Sequence, residues 1–158
     1  MVEIRNYEDR FAASFREMNL EWLDKYQLTE SHDLQVLQDP KGTILDRGGF
    51  IFLAIQGDMP VGSAALMSAG EKQFELAKMS VVPAWRGKGI SKLLLDHCIK
   101  RAMNSGAERL ILYSNHKLTT ALALYESFGF NQVPVIDSPF ETADVMMELD
   151  LGQISAGK

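Results

Sequence analysis

The chain has 158 residues, 46% of them apolar and 23% charged, with a net charge of −5. That length and balance fit one soluble domain with a sizeable core, and the acidic excess argues against a general nucleic-acid binder, which carries a basic face. Residues 1–5 show no signal-peptide pattern, no apolar run is long enough to span a bilayer, and the single Cys98 has no partner in the chain, so a cytoplasmic protein without an internal disulfide is expected.

In chain order, Val2-Glu3-Ile4 reads as a first strand, with Asn6 or Asp9 as a cap for the helix after it. Phe11, Phe15, Met18, Trp22 and Tyr26 recur at helical period and form one apolar stripe. The stripe is a core-facing surface whose far end, at Trp22 and Tyr26, is placed to wall a pocket. Residues 29–33 read as a break and a second cap. A short helix carrying Leu34, Val36 and Leu37 follows, ending before Asp39-Pro40, and residues 41–49 read as a loop.

Residues 50–55 form a strand by residue type, 57–60 a hairpin connection and 61–67 the return strand. Residues 73–82 form a third strand in which neither parity is purely apolar, so a bulge is expected near residues 77–79. The next helix starts at Ile90; Leu94, Cys98 and Ala102 repeat along it, backed by Leu93, Leu95 and Ile99, which makes Cys98 a core residue and His97 a surface one. Asn104-Ser105-Gly106 ends it. A strand at 109–114, a polar turn at 115–117, a short helix at 118–125 capped near Gly129, a strand edge at 133–135 and a last strand at 144–149 complete an α/β order with a mixed sheet. A domain over 1–150 with a tail at 151–158 is expected.

The stretch with the clearest chemistry is Val81-Val82-Pro83-Ala84-Trp85-Arg86-Gly87-Lys88-Gly89-Ile90-Ser91. Glycines at a strand-to-helix turn let backbone N–H groups converge where four of them lack helical partners and the helix dipole favours anions. Arg86 and Lys88 add charge, and the combination suits a phosphate or pyrophosphate. The stretch lacks the ending of a P-loop and has too few glycines for the dinucleotide fingerprint. A plain tight turn with solvated basic residues is the structural alternative.

With these residues in view, the chain resembles the GNAT superfamily of acyl-CoA-dependent N-acetyltransferases. Residues 86–91 are similar to its Q/R-x-x-G-x-G/A loop, with Ser91 where Gly or Ala is usual and Val81 and Pro83 in the lead-in. Leu124-Tyr125-Glu126-Ser127-Phe128-Gly129-Phe130, about 35 residues on, is similar to its LYexxGF segment. The resemblance implies a single domain with a mixed, mostly antiparallel sheet flanked by helices, and acetyl-CoA as co-substrate. It implies that backbone N–H groups of Gly87, Lys88, Gly89, Ile90 and Ser91 hold the pyrophosphate with Arg86 flanking. The backbone of Met79, Ser80 and Val81 would pair with the pantetheine arm, Asn115 would contact pantetheine, and Tyr125 would lie near the thioester sulfur.

Acetyl transfer to an amine requires a neutral amine, a stabilised carbonyl oxygen and a stabilised thiolate. The resemblance suggests Glu75 as general base, Met79 N–H for the oxygen and Tyr125 for the sulfur. Solvated glutamate, turn asparagine and packing tyrosine are the ordinary alternatives for Glu75, Asn115 and Tyr125. Glu71 and Glu141 are less well placed, and His116 in a polar turn reads as solvated. No Cys, His, Asp or Glu cluster has metal-ligand spacing, so no metal is expected. The expected activity is acetylation of a primary amine on a small molecule or peptide; a non-catalytic acyl-CoA sensing module of the same fold is the competing reading. The acceptor pocket is expected from the first helices, the loop at 39–49 and residues 137–140, with Asp137, Glu141 and Asp144 available to a cationic amine. A homodimer is compatible with the family; no nucleic acid or membrane partner is expected.

Overall fold

A seven-stranded sheet organises the chain in a computed structural model that describes residues 1–152. The sheet runs β1 (Val2–Asn6), β2 (Phe50–Gln56), β3 (Met59–Ser68), β4 (Gln73–Val81), β5 (Arg109–Ser114), β7 (Val145–Asp150) and β6 (Asn131–Val133). Among the described residues only the β4–β5 pair is parallel, and the other five pairs are antiparallel. The expected mixed, mostly antiparallel sheet flanked by helices is thus the observed one. Residues 153–158, most of the expected tail, lie outside the described residues.

Both faces of the sheet are covered, and β2 shows how. Its near-continuous apolar run points Phe52 and Ala54 to one core and Ile51, Leu53 and Ile55 to the other, so alternation in space replaces alternation in polarity. On the first face lies α4 (Ile90–Asn104), with Leu94, Leu95, Cys98 and Ala102 fully buried. Gly62 on β3 lets it come close, since a Cβ there would meet Ile90 Cγ2 at 2.9 Å. Leu93, expected to back that stripe, instead faces outward at 49% exposure. The half-buried His97 packs edge-on to Phe52, 4.5 Å between ring centres.

On the second face lie α1 (Ala12–Lys25) and α2 (Ser31–Gln38). The stripe of α1 buries Phe11, Phe15 and Met18 as expected. Neither Asn6 nor Asp9 caps it by its side chain; a 3-10 turn at Asp9–Phe11 leads the chain in. The stretch read as a loop is also more regular. Pro40 sits in the first turn of α3 (Pro40–Thr43), Asp39 accepts from Gly42 N–H at 3.0 Å, and a 3-10 turn follows at Leu45–Arg47. The remaining helix, α5 (Thr119–Ser127), follows β5 and ends at Gly129, whose φ is +100°.

Candidate active site

Two features of β4 make the site. The first is its pairing with β5, which holds only for Gln73–Glu75 against Arg109–Ile111; β4 then continues to Val81 with no β5 partner. The second is the expected bulge. Ser63 pairs with Ser80 and Ala65 with Ala77, so Lys78 and Met79 together oppose Ala64. Lys78 takes a left-handed φ of +51° to make this possible. Its carbonyl accepts from Ser63 Oγ at 2.7 Å, and Ser63 Oγ accepts from Asn19 Nδ2 of α1 at 3.0 Å.

Between the separating strands lies a cavity of about 120 Å³. Glu75, Lys78 and Met79 line it from β4, Tyr113 and Asn115 from β5 and its turn, and Tyr125 from α5. Trp22 and Asp33 close it from the first two helices, and Phe140 and Thr142 from the loop before β7. Burial pushes the Glu75 carboxyl up to about 7; the nearby Lys78 ammonium opposes that shift and Asp33 adds to it. Burial likewise pushes the Tyr125 hydroxyl up to about 12, so it stays protonated at neutral pH, and it donates to Met79 Sδ at 3.9 Å.

Lys78 itself reaches across to α2, where it forms an ion pair with Asp33; the two side chains are 5% and 3% exposed. Asp33 Oδ2 also accepts from the Glu30 backbone N–H at 2.9 Å. The Glu30 carboxylate in turn accepts from the N–H groups of Glu141 and Thr142, each at 2.9 Å, and from the Thr142 hydroxyl. Burial raises the Glu30 carboxyl, but these hydrogen bonds outweigh it and hold the group below its ordinary value.

The glycine turn lies past the end of β4. Gly87 and Gly89 have φ of +77° and +82°, and a Cβ on either would meet nothing within 4 Å. Gly89 is the N-cap residue of α4. The turn therefore presents bare backbone at the helix start, a form suited to a phosphate group.

The profile of the Acetyltransferase (GNAT) family matches residues 12–130. The chain belongs to this acetyltransferase family. It is 29% identical over 101 residues to N-acetyltransferase family 8 member 2 of Rattus norvegicus, a match that covers 61% of this chain and 45% of the relative. It thus spans less than half the length of that relative. An acetyltransferase of GNAT family from Staphylococcus aureus Mu50 superposes with a TM-score of 0.86 at 22% identity, covering 96% of this chain and 99% of the other. The yncA structure from Salmonella typhimurium, which holds its cofactor acetyl-CoA, gives 0.76 at 20% identity and covers 96% and 94%.

Within this GNAT fold the expected residues separate into three groups. Glu75, Met79, Asn115 and Tyr125 line one cavity. Ser80 and Val81 are buried beside it, and Gly87, Lys88 and Gly89 form the turn, with Ile90 and Ser91 opening α4. Arg86 folds back: its Nε donates to Val81 O at 2.9 Å, its guanidinium pairs with Glu21, and it lies 4.9 Å from the centre of the Trp22 ring. Lys88 lies over Trp85. The Asn115 amide is tied at both ends, donating to Thr142 O at 2.7 Å and accepting from Lys117 N–H at 3.0 Å.

Trp22 lines the cavity, whereas Tyr26 packs on the Trp22 ring. Glu71 and Glu141 do not line the cavity, and His116 pairs with Asp144, whose carboxyl that contact holds down. Asp33, Lys78 and Asn19 were not among the expected site residues. Asp33 reads as a helix-cap residue in sequence, and the mixed polarity of the strand at 73–82 was the one available sign of Lys78. Among the described residues no helix is long and apolar enough to cross a membrane, and no acidic, His or Cys group is arranged to hold a metal ion.

Proposed function

We propose that the chain is an acetyl-CoA-dependent N-acetyltransferase that moves an acetyl group onto a primary amine of a small molecule or peptide. The observation that carries this reading is the sharing of one cavity by Glu75, Tyr125 and the bulge at Met79, where β4 and β5 separate. The positive-φ glycines of the turn at 87–89 fit the pyrophosphate of the co-substrate, because their open side leaves the backbone approachable. That the Salmonella typhimurium relative in fold holds acetyl-CoA supports the same assignment.

In this reading Glu75 takes the proton that the acceptor ammonium must lose, directly or through water; its carboxyl near 7 is matched to that task at neutral pH. The backbone N–H of Met79 stabilises the carbonyl oxygen as charge grows on it. Tyr125, held protonated by burial, gives a proton or hydrogen bond to the departing thiolate. Asn115 orients the pantetheine arm through its backbone and its turn.

Thiol release from acetyl-CoA, followed with a thiol reagent across alkylamines, polyamines, amino acids and a lysine peptide, tests the assignment, with calorimetric CoA binding alongside. Amine-dependent thiol release is the expected result. Absence of CoA binding would overturn it, and CoA binding without turnover on any acceptor class would favour a sensing role.

A further inference from the structure

The end of α1 has little core to hold it. Phe15, Met18 and Asn19 are its buried residues, and from Leu20 to Lys25 every residue is half-buried or exposed. Trp22 stands in that last stretch, yet it lines the cavity together with Glu75 and Tyr125. A ring on a lightly anchored helix end makes a defined wall only where other groups lock it.

Arg86 makes three contacts there. Its Nε donates to Val81 O at 2.9 Å, its guanidinium pairs with Glu21, and the guanidinium carbon lies 4.9 Å from the centre of the Trp22 ring. Glu21 and Trp22 are successive residues of α1, so one side chain grips two neighbours on the helix and fastens them to the last residue of β4. The base of Arg86 is fixed in turn, because its backbone N–H donates to Pro83 O at 3.3 Å and closes the 3-10 turn after β4. Tyr26 meets the Trp22 ring edge-on, 5.0 Å between centres. A guanidinium suits this place, since it is planar, always charged and able to donate in several directions while resting on an aromatic ring. The same contacts make it a poor ligand for an anion at the glycine turn: the Glu21 carboxylate already matches its charge and would repel an anion drawn to it.

We infer that Arg86 is a positioning residue of the cavity, which holds the Trp22 ring against the end of β4 as a wall, and is not a phosphate ligand. Its consequence for an acceptor amine rests on the acetyltransferase reading; its hold on the Trp22 ring does not.

Two measurements test this. The first uses the CoA-free protein and the indole N–H signal of Trp22, assigned by its loss in Trp22→Phe. Arg86→Ala should lower the heteronuclear NOE of that signal, the mark of a ring released to fast motion, while the backbone amides of β2 keep theirs. Arg86→Lys repeats the test with the positive charge kept, and should also lower it, because an ammonium lacks the planar fork. An unmoved NOE in Arg86→Ala overturns the inference whatever the activity of the protein. The second is steady-state kinetics with acetyl-CoA and the best acceptor among alkylamines, polyamines, amino acids and a lysine peptide. Arg86→Ala should raise the acceptor KM roughly five- to tenfold and change calorimetric CoA affinity by less than roughly threefold. In a Trp22→Ala background the same substitution should raise that KM by less than roughly twofold, since the ring it acts through is gone. A loss of CoA affinity of roughly tenfold or more with the acceptor KM unmoved would make Arg86 a phosphate ligand and overturn the inference. An Arg86→Ala effect undiminished in the absence of the ring would overturn it as well. If no acceptor is turned over, it is the acetyltransferase reading that fails, and the NOE alone decides the inference.

Discussion

The two halves of the site are made of different material. At the glycine turn the protein offers backbone, and the neighbouring side chains turn away: Arg86 lies on Trp22 and Lys88 on Trp85. Around the cavity the protein offers interlocked side chains from four segments, namely Asn19 of α1, Asp33 of α2, Lys78 of β4 and Thr142 of the last loop. A site built from backbone is sensitive to conformation and tolerant of side-chain identity. A site built from side chains is the reverse, and its members cannot be exchanged singly.

That contrast can be broken by experiment. The largest effect is expected from Glu75→Gln, which should lower kcat roughly 10²–10⁴-fold at pH 7.5, as loss of a general base does, with CoA affinity unchanged by calorimetry. Gly89→Val should weaken CoA binding roughly tenfold or more, because a β-branched residue is strained at φ +82° and its side chain enters the open side of the turn. Glu30→Ala should raise KM for the acceptor several-fold and leave CoA affinity unchanged, since it frees the loop at Glu141 and Thr142 and nothing at the turn. Lys88→Ala should change CoA affinity by less than roughly threefold, because the exposed charge is screened by salt. A large loss there with a mild one for Gly89→Val would invert the comparison.

The same substitution at Glu75 gives a stability test with a definite sign. The folded carboxyl sits near 7, above its ordinary value of 4.5. The folded state therefore binds more protons than the unfolded one between those values, and stability falls as pH rises through that window. Glu75→Gln should accordingly raise the melting temperature at pH 8 and have little effect at pH 4.5. An equal shift at both pH values would mean that burial of the charged form is not what raises the carboxyl.

Much of the fold and the turn half was legible in the sequence. The stripe of α1, the strands at 50–67 and the glycines at 87 and 89 are local patterns, each decided by periodicity or by a backbone conformation that few residues accept. The bulge was readable as a conflict of parity on β4. The cavity half was not legible in the same way. Asp33 pairs with Lys78 across 45 residues and Glu30 with Thr142 across 112, and no local pattern encodes such partners. Arg86 shows the limit from the other direction. Its motif position suggests the turn, while its geometry commits it to Glu21 and the Val81 carbonyl.

From the last loop to Glu75 there runs an unbroken sequence of contacts: Thr142 to Glu30, the Glu30 backbone to Asp33, Asp33 to Lys78, and Lys78 through the bulge to the strand that carries Glu75. Substitutions at such linked positions do not add. Once one member is lost, its neighbours have already lost part of their role, so a double change costs less than its two singles together. An attempt to reshape this cavity therefore has to move residues 30, 33, 78 and 142 as a set, whereas the glycine turn can be left alone.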